Sequence, residues 1–127
     1  MTGGSQLRRK ESNVADSTIQ IVFSNPFEGK DDEFNEWYDN VHLPQVLAMP
    51  GVISAQRYDL RPLAREGWVG PGFRYMAIYE IDGDPDEILA ATSKAVHAGE
   101  IVMSDTFDAR NSRLSFWAPR GPKAESQ

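Results

Sequence analysis

Phe34-Asn35-Glu36-Trp37-Tyr38-Asp39-Asn40-Val41-His42-Leu43-Pro44 continues through Met49-Pro50-Gly51 into Val52-Ile53-Ser54-Ala55-Gln56-Arg57-Tyr58-Asp59. Phe34, Trp37, Tyr38 and Val41 recur at the three-and-four spacing of one buried helix face. Glu33, Glu36 and Asn40 fall on the opposite side. Asp31 and Asp32 suit the first turn, where carboxylates accept from free backbone N–H groups. A helix is therefore expected from about Asp32 to at least Val41. The Pro50-Gly51 turn then hands the chain to a strand over Val52 to Leu60.

His42 stands at the border of that helix face. At about 100° per residue, the aromatic stripe covers an arc of about 100° and His42 lies about 40° beyond Tyr38, with Trp37 on the far side of the stripe. Pro44 has no N–H to offer the carbonyl of Asn40, so the helix is expected to kink or end there. Carbonyls freed nearby would fix the imidazole tautomer and favour its protonated form, while burial would oppose it. Two readings follow: a titratable ring presented to an apolar pocket, or a half-buried histidine tying a helix end to a neighbouring backbone.

On either side of this stretch the same patterns recur. Thr18 to Ser24 alternates Ile19, Ile21 and Phe23 against Gln20, Val22 and Ser24, which reads as a strand. A loop from Arg61 to about Gly72 carries Trp68. Phe73 to Ile81 reads as a third strand with Tyr75 and Tyr79 on one face. Pro85 suits the first turn of a second helix, whose inner face would be Ile88, Leu89, Thr92 and Val96. Gly99 suggests that helix's stop, which makes His97 a last-turn residue favoured by the dipole. Arg113 to Trp117 reads as the last strand.

The order β-α-β-β-α-β predicts an α+β, ferredoxin-like fold: a four-stranded antiparallel sheet with two helices on one face. Its other face would stay bare, and pairing of two copies is the simplest cover. Residues 1–16, rich in Gly, Ser and charge, are expected to be a disordered tail. Residues 17–118 would form the folded unit, and 119–127 a second tail.

Composition narrows the chemistry. The 127 residues suit one domain, and the net charge of -6 argues against a nucleic-acid partner. No cysteine is present, so thiolate chemistry, disulfides and cysteine-ligated metals are out. No segment reaches membrane-spanning length and no signal-peptide pattern opens the chain, so a cytoplasmic protein is expected. The two histidines lack metal-ligand spacing, no Gly-rich phosphate loop follows a strand, and no serine sits in a nucleophile elbow. No metal or cofactor is expected. What remains is proton transfer by His, Tyr or a carboxylate in an apolar pocket.

The run Glu36-Trp37-Tyr38-Asp39-Asn40-Val41-His42-Leu43-Pro44, with Val46-Leu47, Pro50-Gly51 and Ala55-Gln56-Arg57-Tyr58, resembles the EthD-like members of the dimeric α+β barrel superfamily. The resemblance is good over residues 34–58 and architectural over 18–117. It implies a homodimer with sheets packed face to face, and a cavity between helices and sheet lined by His42 and its aromatic neighbours. In the wider superfamily such cavities serve polyketide cyclases, lactone isomerases, cofactor-free monooxygenases and haem-dependent enzymes. The 61–72 loop departs from the minimal family pattern, and either covers the cavity with Trp68 or lies on the surface.

The expected function is cofactor-independent acid/base chemistry (isomerase, cyclase, dehydratase or cofactor-free oxygenase type) on a hydrophobic carbonyl or aromatic compound. His42, Tyr38 and Tyr75 are the candidate catalytic groups. Phe34, Trp37, Val41, Arg57, Trp68 and Tyr79 are the candidate ligand contacts. For Arg57 the choice lies between an ion pair with Asp59 and a buried guanidinium that holds an anionic oxygen. The alternative function is a non-catalytic metabolite-binding or accessory protein of a degradative or biosynthetic pathway.

Overall fold

The computed structural model describes residues 17–127. The tail expected at residues 1–16 lies outside them. Thr18–Ser24 forms β1, Val52–Asp59 β2, Tyr75–Ile81 β3 and Arg113–Trp117 β4. All neighbours pair antiparallel, in the order β2-β3-β1-β4. This is the split βαββαβ arrangement, with a first helical segment between β1 and β2 and a second between β3 and β4.

Register assigns the two faces, because paired residues point the same way and alternate along each strand. Tyr79 is opposite Gln20 and Ala55, and Ala77 is opposite Val22 and Arg57. That face packs on the helices. Ile21 is opposite Ile78 and Ser115, and Phe23 is opposite Met76, so these form the face without helices.

The first helical segment is longer and less regular than the sequence suggests. α1 spans Asp31–Trp37, a π-helical turn spans Tyr38–His42, and α2 spans Leu43–Leu47. The amide of Leu43 donates to the carbonyl of Tyr38, five residues back. Pro44, which lacks a donor, does not end the helix here; the chain continues past it next to one widened turn. The expected termination near Pro44 is thus replaced by a further α-helical stretch to Leu47.

α3 runs Pro85–His97. Asp84 caps it by accepting from the Glu87 amide at 3.1 Å. At its far end the amides of Gly99 and Glu100 donate to Val96 and Ala95, a Schellman stop made by Gly99 at φ 80°. Ile88 and Ala95 are buried, Thr92 and Val96 are half-buried, and Leu89 is 41% exposed. Leu89 is therefore not an inner-face residue; the buried stripe passes one position to its side. β3 begins at Tyr75, two residues later than expected, with Phe73 still in the loop.

The core is the layer between helices and sheet: Phe34, Tyr38, Val46, Val52, Ala77, Tyr79, Ile81, Ile88, Ala95 and Ile101. Residues after Trp117 are exposed and belong to no helix or strand. Among the described residues no helix is long and apolar enough to cross a membrane.

Candidate functional site

The π-helical turn decides where His42 goes. In a straight α-helix, residues five apart lie about 140° apart around the axis, which would put Trp37 and His42 on different sides. The widened turn brings them together instead. The imidazole stacks on the Trp37 indole with centroids 4.7 Å apart and planes 28° apart. It meets Tyr38 edge-on at 4.9 Å and 83°. Trp37, expected on the far side of the stripe, is thus the histidine's nearest aromatic face.

These rings line a cavity of about 190 Å³ between helices and sheet. Trp37, Tyr38, His42 and Val46 form one wall, Gln20, Val22 and Tyr79 the sheet floor, and Thr92 and Val96 of α3 another wall. Met103, Phe107, Ser112 and Leu114 close the remaining side. Trp37 donates from Nε1 to the Val102 carbonyl at 2.8 Å, and the Val102 amide donates to Gln45 Oε1 at 2.7 Å. The two bonds clamp the segment after α3 against the first helical segment and hold Met103 near the cavity.

His42 Nδ1 is buried and has no hydrogen-bond partner among the described residues. The carbonyl contacts expected to fix the tautomer and favour protonation are not made. Burial, seconded by the Arg57 charge, pushes the imidazole pKa down to about 4. The ring is neutral at physiological pH. Since Nδ1 is closed off while the ring borders the cavity, Nε2 is the nitrogen a ligand can reach.

Across the cavity the hydroxyls of Tyr38 and Tyr79 lie 3.3 Å apart. Burial raises the pKa of both phenols, so both keep their protons. Arg57 backs this pair: its guanidinium lies 4.3 Å from the Tyr38 ring centroid. It donates to Asp39 Oδ1 at 2.9 Å and Asn35 Oδ1 at 2.8 Å. The expected pairing with Asp59 is not the one formed. Arg57 forms its ion pair with Asp39 instead, and its side chain is only 12% exposed.

Tyr75 belongs to a different place. It shares the Tyr79 face, yet four residues along a strand is about 13 Å. Its hydroxyl donates to Asp31 Oδ2 at 2.7 Å and accepts from Asn35 Nδ2 at 3.2 Å. The Tyr75 bond, together with Arg74, holds the Asp31 carboxyl below its usual pKa. Tyr75 lines a separate hollow of about 340 Å³ with Tyr58, Leu60, Arg61 and Phe73, roofed by the loop before β3. That hollow is larger but carries no histidine.

Among the remaining candidates, Phe34 is fully buried beneath the aromatic cluster. Val41 lines an open groove on the outer side of the helix. Trp68 packs over Gly70 within its own loop and lies outside the His42 cavity. The wall residues Met103, Phe107 and Ser112 escape sequence reading because their segment has no helical or strand period. Phe107, an aromatic alone in a polar stretch, is the one signal available there, and it lies 6.0 Å from Trp37.

The strand order, the pairing and the helix placement define an α+β protein of the ferredoxin-like class. HapK from Hahella chejuensis shares this fold, with a TM-score of 0.57 over 85% of this chain and 99% of that one, at 16% identity. An EthD family protein from Bacillus halodurans is also similar, with a TM-score of 0.46, 15% identity, and coverage of 80% and 98%. The likeness to HapK at that identity establishes the fold. No protein-family model matches the chain, and no curated protein does.

Proposed function

We propose that the chain forms a homodimer whose subunits carry out cofactor-independent acid/base chemistry on a hydrophobic carbonyl or aromatic compound held beside His42. One observation carries this reading: the imidazole borders an apolar cavity while its Nδ1 is buried without a partner among the described residues. A histidine serving only the fold would have both nitrogens bonded or wet, because a buried unbonded nitrogen costs about 1–3 kcal/mol. With the proton on Nδ1, Nε2 is a base. It would take a proton from a carbon next to the ligand's carbonyl, leaving an enolate, and return it elsewhere on the same skeleton. Negative charge developing beside the ring raises the imidazole pKa during the transfer.

The test is turnover of one-ring ketones and small polyketide-like compounds by wild type and His42→Ala. Loss of about 10²–10⁴-fold in rate is expected, and unchanged turnover removes His42 from the mechanism. A second reading draws on the imidazole pKa near 4, which makes His42 a weak base at neutral pH. On that reading the chain binds a metabolite without converting it. Ligand then raises the melting temperature by the mass-action term, His42→Ala weakens binding, and no turnover is found.

A further inference from the structure

Tyr38 and Tyr79 are each 2% exposed, and both rings line the His42 cavity. Each phenol carries one proton to donate and oxygen lone pairs to accept with. The single bond between them, 3.3 Å long and free to run in either direction, uses one of the two protons. Neither hydroxyl has a further acceptor among the described residues. One buried O–H donor is therefore left over at the cavity wall, in surroundings where an unmade hydrogen bond is costly.

We propose that the Tyr38–Tyr79 hydroxyl pair receives one acceptor oxygen of the ligand, a carbonyl or enolate oxygen carried on a single aromatic ring. The proposal rests on the reading of the cavity as a ligand site and adds the ligand's class. Size sets the ring count: at about 190 Å³ the cavity slightly exceeds the ~150 Å³ at which an apolar protein cavity admits benzene. Val22, Val46 and Met103 make much of the remaining wall apolar, with Gln20, Thr92 and Ser112 as its polar members. Arg57 places positive charge behind Tyr38, which favours an oxygen that gains negative charge. Raised phenol pKa values keep both donors protonated.

The experiment compares acetophenone with ethylbenzene, which has similar size but no oxygen. Binding to the full chain is followed by fluorescence, with Trp37 in the cavity wall as reporter. Wild type should bind acetophenone about tenfold more tightly, the effect of one well-made hydrogen bond. In Tyr38→Phe/Tyr79→Phe the preference should vanish through weaker acetophenone binding, while ethylbenzene binding holds. Each single variant should keep part of the preference, because the surviving hydroxyl is released from its partner and can donate. Equal binding by wild type, binding of neither compound, or a preference that survives in the double variant overturns the proposal. A surviving preference would point to Gln20 or His42 as the oxygen's partner. Should the double variant not fold, the single variants decide: a preference undiminished in both overturns the proposal. The readout is binding, so it fails or succeeds separately from the catalytic role of His42, which is read by turnover.

Discussion

At His42, burial and chemistry pull in opposite directions, and burial wins. The imidazole is pushed from 6.5 to about 4 in the folded chain, so on acidification the unfolded chain takes up the proton first. The sign follows: this contribution to stability is complete above about pH 6.5, is lost as pH falls toward 4, and levels off below. The difference is on the order of 3 kcal/mol. Denaturant midpoints at pH 7 and pH 4.5 measure it. Wild type should lose much more than His42→Gln, which has no proton to gain. Parallel losses in the two proteins would mean that the ring is already solvated. Asp31 does not confuse the reading: its carboxyl is held low by Tyr75 and Arg74, so its stabilisation disappears only at a pH below its ordinary value of 3.8. The residue scale also shows what type and spacing could give. A histidine beside an aromatic stripe was legible; its missing Nδ1 partner was not, because that depends on where carbonyls of the folded chain end up.

Among the elements, the helix–strand junction at Gly51 is the most tightly specified. Gly51 sits at φ 88°, a left-handed conformation that costs an ordinary residue about 1–2 kcal/mol. A Cβ there would also stand 2.9 Å from the Asp82 carbonyl oxygen and 3.1 Å from Ile88 Cδ1. Gly51→Ala is expected to destabilise by about 2–4 kcal/mol, strain and overpacking together, read as a lower denaturant midpoint at an unchanged slope. A loss below about 1 kcal/mol would show that the junction yields. The Pro-Gly signal, the alternating strands and the three-and-four aromatic stripe were all readable, since each is a local period or a local backbone need. The π-helical turn was not. Period arguments assume a constant 100° per residue, and one widened turn breaks that assumption between Trp37 and His42. The wall after α3 was equally hidden: Met103 and Phe107 reach the cavity through the bonds of Trp37 and Gln45 to Val102, long-range contacts with no sequence period.

Among the described residues, no helix covers one face of the sheet. Ile19, Ile21, Phe23, Met76 and Ile78 share it by register, with Tyr58 at 40% exposure and Trp117 at 59% on the flanking strands. This apolar surface, interrupted by Glu80, Gln56 and Ser115 on the same face, costs free energy in water. A second copy would cover it with the same residues under two-fold symmetry, which is why the function is proposed for a homodimer. Ile21 faces Ile78 at the middle of this surface, so Ile21→Glu would bury a charge in the pairing without touching the helix-side cavity. Sedimentation of wild type at micromolar concentration should give twice the chain mass, and Ile21→Glu should sediment as a monomer. The His42 cavity lies on the opposite face of the sheet and is walled by residues of one chain. Monomeric Ile21→Glu should therefore keep the binding preference for acetophenone over ethylbenzene, provided its thermal unfolding remains cooperative. If monomerisation abolishes that preference in a folded protein, the site needs the partner, and the one-chain cavity is an incomplete account of it.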